Sequence, residues 1–338
     1  MDSLKKHLSP TRDFLLFLLF IFATQVLFAK PETHKINIKI KGAQDTVLYL
    51  AHYYGDKTYI DDTARIGKKG GFVFEADSIL PEGMYIVAGQ ENNRYFEFIL
   101  DQYQDFSITT DKKNIPENII FKGSEINNSF YDYIRINTKK HIEMKQLADR
   151  KKGLADQPDS AKYLNGKIAS LNDELEDYKT DFINGHPKSF MSVMFKAMTD
   201  PEPGEIPILE NGREDSVYAY NYYKQHYWDN IDVTDDRLLR TPLFHKKLEK
   251  YFTKVLYQSP DTIIKEADIF INKTRNNKEV FKYTVWYLTF KFETSNIMGF
   301  DEIFVHMVDT YYATGEAYWA DSTVVKSISK HANSLRPV

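Results

Sequence analysis

The 338-residue chain contains no cysteine. That absence excludes a disulfide framework, a Cys-ligated zinc, a thiol nucleophile, a Cys-x-x-Cys redox pair and a lipidated N-terminal cysteine. A basic excess is missing as well: 44 Lys and Arg stand against 48 Asp and Glu, for a formal net charge of -4. Neutralising nucleic-acid phosphates requires such an excess, so nucleic acid is not an expected partner. Gly67-Lys68-Lys69-Gly70-Gly71 is not followed by Gly-Lys-Ser/Thr or by a helix, so it is not a phosphate loop. The nine histidines include no His-x-x-x-His or His-Glu-x-x-His pair, the spacings that would place two zinc ligands on one helix face. No Gly-x-Ser-x-Gly nucleophile elbow occurs, and there is no internal repeat or low-complexity run. The sequence therefore implies no cofactor, no metal and no catalytic residue.

What is present belongs to a folded protein. The hydrophobic share of 42% and charged share of 27% are globular values, and 23 Tyr and 23 Phe supply ample core volume. At roughly 100–200 residues per domain, the length suggests about two domains.

Lys5, Lys6 and Arg12 precede the apolar run Phe14–Ala29, which Thr24 and Gln25 interrupt. A basic segment before a short apolar one has the form of a secretory signal peptide, and the run is shorter than the ~20 residues a spanning helix needs. Cleavage after Ala29 is expected. The mature chain would then reside in the periplasm or cell envelope, not as a lipoprotein, and would meet the membrane only through an uncleaved leader.

Two halves with different periods follow. Over residues 30–123, Ile36, Ile38 and Ile40 alternate with polar residues, as do Phe96, Phe98 and Leu100. Period-2 runs separated by turn residues predict a half-buried antiparallel β-sandwich. The Gly67–Gly71 run reads as a hairpin turn between Ile66 and Phe72-Val73-Phe74. Over residues 124–338 the period becomes helical. Segments 126–152 and 160–184 read as two helices, Gly185 ends the second, and Pro187 would sit just inside the next. Residues 199–214 are a Pro- and Gly-rich loop. Thr241-Pro242 and Ser259-Pro260 are start signals. Phe244, Leu248, Phe252 and Leu256 form an apolar stripe, and Val324, Val325 and Ile328 are the expected core face of the last helix. The fold class is thus multi-domain α and β: an N-terminal antiparallel β-sandwich, then an all-α domain of six to eight helices.

The candidate interaction surface is the aromatic run Tyr218–Asp229. Tyr220, Tyr223, His226 and Trp228 would form a stacking platform for a glycan or peptide if exposed, whereas burial would make them core. Asp61-Asp62, Asp235-Asp236 and Asp301-Glu302 are explained by capping and solvation rather than by carboxylate catalysis.

The run Asp61-Asp62-Thr63-Ala64-Arg65-Ile66, with Gly71-Phe72-Val73-Phe74 and Gly83-Met84-Tyr85-Ile86, resembles an N-terminal β-domain of unknown function. That domain precedes the thioredoxin domain in periplasmic TlpA/ResA-like thiol–disulfide oxidoreductases. Tyr222–Asp229, Asp236–Pro242, Tyr311-Tyr312 with Trp319, and Ala332–Pro337 are similar to the helical domain that often sits between the two. The resemblance implies that a Cys-x-x-Cys domain starts just after the last of these motifs, which leaves the present residues as an accessory region without a redox centre. Its implied partner is an envelope protein or peptide, a thioredoxin-like domain among them.

Overall fold

The computed structural model describes residues 33–68, 70–154 and 157–336. The expected leader and its cleavage point after Ala29 lie outside them. Eight strands come first: β1 His34–Lys41, β2 Val47–Tyr54, β3 Lys57–Arg65, β4 Phe72–Ala76, β5 Gly83–Ala88, β6 Arg94–Leu100, β7 Asp105–Asp111 and β8 Ile120–Lys122. They form two four-stranded sheets, ordered β4-β1-β7-β8 and β3-β2-β5-β6. The alternation read in the sequence is the alternation of burial. Ile36 and Ile38 are fully buried between the sheets while Lys35 and Lys39 face outward. Leu50, Phe74, Phe98 and Ile108 share that interior.

Two features depart from the expected all-antiparallel sandwich. Strands β1 and β7 pair in parallel, from Lys35 opposite Asp105 to Lys41 opposite Asp111. The chain visits the second sheet twice between them and returns in the same direction. The Gly67–Gly71 run is also not a hairpin turn, because β3 and β4 belong to different sheets. It is a corner, closed by the Gly67 amide on the Gly71 carbonyl at 2.8 Å and the Gly70 amide on the Gly67 carbonyl at 2.9 Å. Period 2 marks a strand but does not say which sheet it joins.

From Glu125 on, the described residues form nine α-helices: α1 Glu125–Lys152, α2 Pro158–Gly185, α3 Phe190–Met198, α4 Ser216–His226, α5 Pro242–Lys250, α6 Pro260–Thr274, α7 Lys278–Glu293, α8 Asp301–Met307 and α9 Ser322–Leu335. That is one more than the upper end of the expected six to eight. Helices α5 and α8 continue through π-helical turns at Tyr251–Val255 and Val308–Tyr312. Thr241 and Ser259 cap α5 and α6 as expected, accepting the Leu243 and Thr262 amides. The stripe Phe244, Leu248, Phe252 and Leu256 is buried throughout.

Pro187 does not open a helix. It lies in a turn, and α3 begins at Phe190 with Ser189 as its cap, because the Ser189 hydroxyl can accept the Met191 amide. Helix α9 also departs from expectation: Val324 is exposed, Val325 and Ile328 are half-buried, and only Ala332 is buried. The helix is amphipathic, and Ile328 and Leu335 pack against the core while staying partly exposed. No helix among the described residues is long and apolar enough to cross a membrane.

The β-sheets and the helices are joined by specific bonds. The Gly55 amide, in the β2–β3 turn, donates to the Leu239 carbonyl at 2.8 Å. Leu239 belongs to a 3-10 turn at Asp236–Arg240. Tyr54 donates to Glu279 at 2.9 Å, and Tyr131 donates to the Glu97 carbonyl at 2.8 Å.

Candidate functional site

The aromatic run folds as α4 because Asp215 caps it, accepting the Val217 and Tyr218 amides at 2.9 and 3.0 Å. Its four candidate residues do not share one face. Trp228 is only 8% exposed, with the rings of Phe270, Tyr227 and Tyr251 packed around it at 4.2, 5.0 and 5.2 Å. Packed in this way it belongs to the core, and only the small part left exposed lines a hollow of about 410 Å³ with Lys224, Glu266 and Lys273. Tyr220 is exposed, but its hydroxyl is committed to the Val255 carbonyl at 3.0 Å. The His226 ring lies tilted against the Tyr222 ring at 4.2 Å, and its Nδ1 meets Asp229 at 2.6 Å.

Tyr223 donates to Asp200 at 3.1 Å. Asp200 is a node that sequence reading missed. It also pairs with Lys247 at 3.3 Å and Lys250 at 2.8 Å. Burial pushes the Asp200 carboxyl up, but the two ammonium groups outweigh it and hold the group below the ordinary carboxylate range. Burial lowers Lys247. These residues lie 23 to 50 positions from Asp200, so no local motif announces the node.

The larger concavities lie where the sheets meet the helices. One hollow of about 590 Å³ is walled by Leu80, Gln104, Asp236 and Arg240; another of about 830 Å³ is walled by Asp101, Tyr103, Glu125, His186 and Lys188. Glu82, Gln102 and Arg237 line both, so the two hollows form one groove along the seam. Arg237 organises it. Its guanidinium grips both Asp235 oxygens at 2.8 and 2.6 Å, reaches Glu82 at 3.1 Å and lies over the Phe190 ring at 4.9 Å. The Asp235 bonds, and after them Glu82, raise its pKa further, so it is charged at every working pH. Asp101 is pushed up by burial, with Glu82 adding to the shift. The Arg240 Nη1 is buried without a hydrogen-bond partner among the described residues. The Ser189 and Ser124 hydroxyls of the groove serve helix capping and the Asn127 side chain. The groove is lined by carboxylates, side-chain amides and guanidiniums.

A smaller cup of about 240 Å³ lies at the tip of the β2–β3 hairpin, against α7. Tyr54, Tyr59, Tyr283, Trp286 and Trp319 wall it, with Lys57, Lys282 and Asp56 at its rim. Lys57 Nζ stands 5.0 Å over the Trp286 ring. Its residues come from three distant stretches, and the one cue in the sequence is the ring-rich turn Tyr53-Tyr54-Gly55.

Two of the three acidic pairs have structural partners, whereas Asp301 and Glu302 lie in the first turn of α8 and do not cap it. Asp61 meets His52 at 2.6 Å, Asp62 accepts the Thr63 amide, and Asp235 accepts the Arg237 amide. Asp268 collects His306 at 3.0 Å and Tyr311 at 2.8 Å. No group of three or more His, Asp or Glu side chains with metal-holding geometry occurs among the described residues.

Residues 34–130 match the family model described as Domain of unknown function (DUF4369), and residues 172–332 match the one described as Domain of unknown function (DUF5106). The first match spans the eight strands and the start of α1. The second runs from within α2 to within α9. No curated protein matches the chain.

Proposed function

We propose that this chain is a non-catalytic accessory region of a TlpA-like envelope thiol–disulfide oxidoreductase, and that it docks a protein substrate or partner. The observation that carries this reading is the seam groove, built jointly by both halves around Arg237 and lined by recognition groups. Thiol–disulfide exchange needs an attacking thiolate, and the chain holds no cysteine. The TlpA-like assignment itself rests on the resemblance read from the sequence, and the two matched domains are of unknown function.

The test is an insulin-reduction assay run with the purified chain alone and with the chain added to a TlpA-like thioredoxin domain. The reading expects no turnover from the chain alone and a changed KM for a protein substrate when both are present. Turnover by the chain alone contradicts it. A reading of α4 as a glycan platform has less support, since Trp228 is largely buried.

A further inference from the structure

We propose that the free edge of β3 accepts an extended, acidic segment of another polypeptide as an added strand, and that the neighbouring aromatic cup receives one of its side chains. The surface is separate from the seam groove, so the two can succeed or fail independently.

The other edges of the sandwich are short or guarded. Strand β8 has three residues and β4 has five. On β6, the fully buried Asn127 takes both ladder groups of Ile99: its Oδ1 accepts the amide at 2.7 Å and its Nδ2 donates to the carbonyl at 2.6 Å. Nothing comparable covers β3. It has nine residues and pairs with β2 alone. Among the described residues no strand besides β2 hydrogen-bonds to it, although β4 of the other sheet comes close, and the one side-chain bond to its backbone is Asp62 on the neighbouring Thr63 amide. Its first five residues are exposed, including Tyr59 at 49% and Ile60 at 63%. A β-bulge at Asp61 interrupts the ladder with β2, so the exposed, partly apolar run Lys57–Ile60 ahead of it, with its outer amides and carbonyls unpaired, is the template for another strand.

The edge also specifies what pairs with it. Lys57 and Tyr59 stand opposite Tyr54 and His52 on β2, so all four share the sheet face turned toward α7. Side chains of an added strand on that face would lie beside Lys57 and Tyr59, at the mouth of the cup. Five rings give it an apolar lining, and the ammonium groups of Lys57 and Lys282 give it positive charge. The exposed carboxylate at that mouth, Asp56, is outnumbered two to one. An acidic residue next to an apolar or ring-bearing one meets both features, whereas a basic residue would face two like charges.

The experiment adds reduced, carboxymethylated α-lactalbumin, an acidic polypeptide with no stable fold, to the purified full chain. Hydrogen–deuterium exchange is followed over residues 57–65, together with the fluorescence of Trp286 and Trp319. The expected result is exchange slowed at least tenfold across β3 at saturation, with a fluorescence change over the same titration. Ile60→Lys, which adds an edge charge at an exposed position, should weaken binding at least tenfold while leaving the melting temperature unchanged. Lys57→Glu should do the same. Saturable binding that protects some other segment overturns the proposal. So does no binding at all, or a protection of β3 that grows with chain concentration alone, which would make the edge a contact between two copies.

Discussion

The Tyr283 ring lies so close to Gly55 that a Cβ at that position would overlap it. Gly55 also has a φ of +64°, and its amide holds the Leu239 carbonyl. Gly55→Ala therefore meets a left-handed backbone and a clash together, and should cost about 2–4 kcal/mol. Chemical denaturation of the single variants and of Gly55→Ala/Tyr283→Ala checks this. The double variant should recover part of the loss, since removing the ring relieves the overlap, and strict additivity would contradict the account.

Trp228→Ala should behave as a core truncation and lose about 3–5 kcal/mol. Tyr220→Phe removes one hydroxyl bond to a carbonyl and should lose about 0.5–1.5 kcal/mol. Melting curves of the two variants separate the assignments. A near-neutral Trp228→Ala would return that residue to the surface.

Asn127→Ala should be severe for a buried polar residue. It orphans the Ile99 amide and carbonyl together, each worth about 1–3 kcal/mol when left unsatisfied. Proteolysis should show the β6 edge and the start of α1 opening first. An unaltered cleavage pattern would contradict the guarding role.

Asp200 supplies a pH dependence. Its folded pKa is depressed, so its stabilisation is present above the unfolded carboxylate pKa and is lost as pH falls through the lower folded value. The wild type should exceed Asp200→Asn in melting temperature at pH 6, and the gap should close in the acid range below about pH 4, the ordinary Asp value. A gap that widens on acidification would refute the assignment.

The elements were legible because each carries its period locally. Ile36, Ile38 and Ile40 show the strand, and Phe244, Leu248 and Phe252 show the helix, whatever surrounds them. Start signals at Thr241-Pro242 and Ser259-Pro260 were equally local. Pro187 misled because proline fits turns as well as first helical positions, and Ser189 was the stronger cap. The parallel pairing of β1 with β7 was not legible, since nothing within either strand names its neighbour. The sites were hidden for the same reason. Glu82 and Arg237 are 155 residues apart, and Trp286 joins Lys57 only through the docking of a hairpin on a helix. The aromatic run 218–228 drew attention as a motif, yet its most prominent ring serves the core.

The seam groove is proposed to dock a protein of a thiol–disulfide system. A photo-crosslinking residue at Gln102, on the wall shared by both hollows, tests it in living cells. The account predicts a crosslink to a TlpA-like oxidoreductase or to one of its disulfide-bearing substrates, lost when Arg237→Glu reverses the charge at the groove's centre. Crosslinks to unrelated cytosolic proteins, or the same adducts in the Arg237→Glu variant, would contradict it.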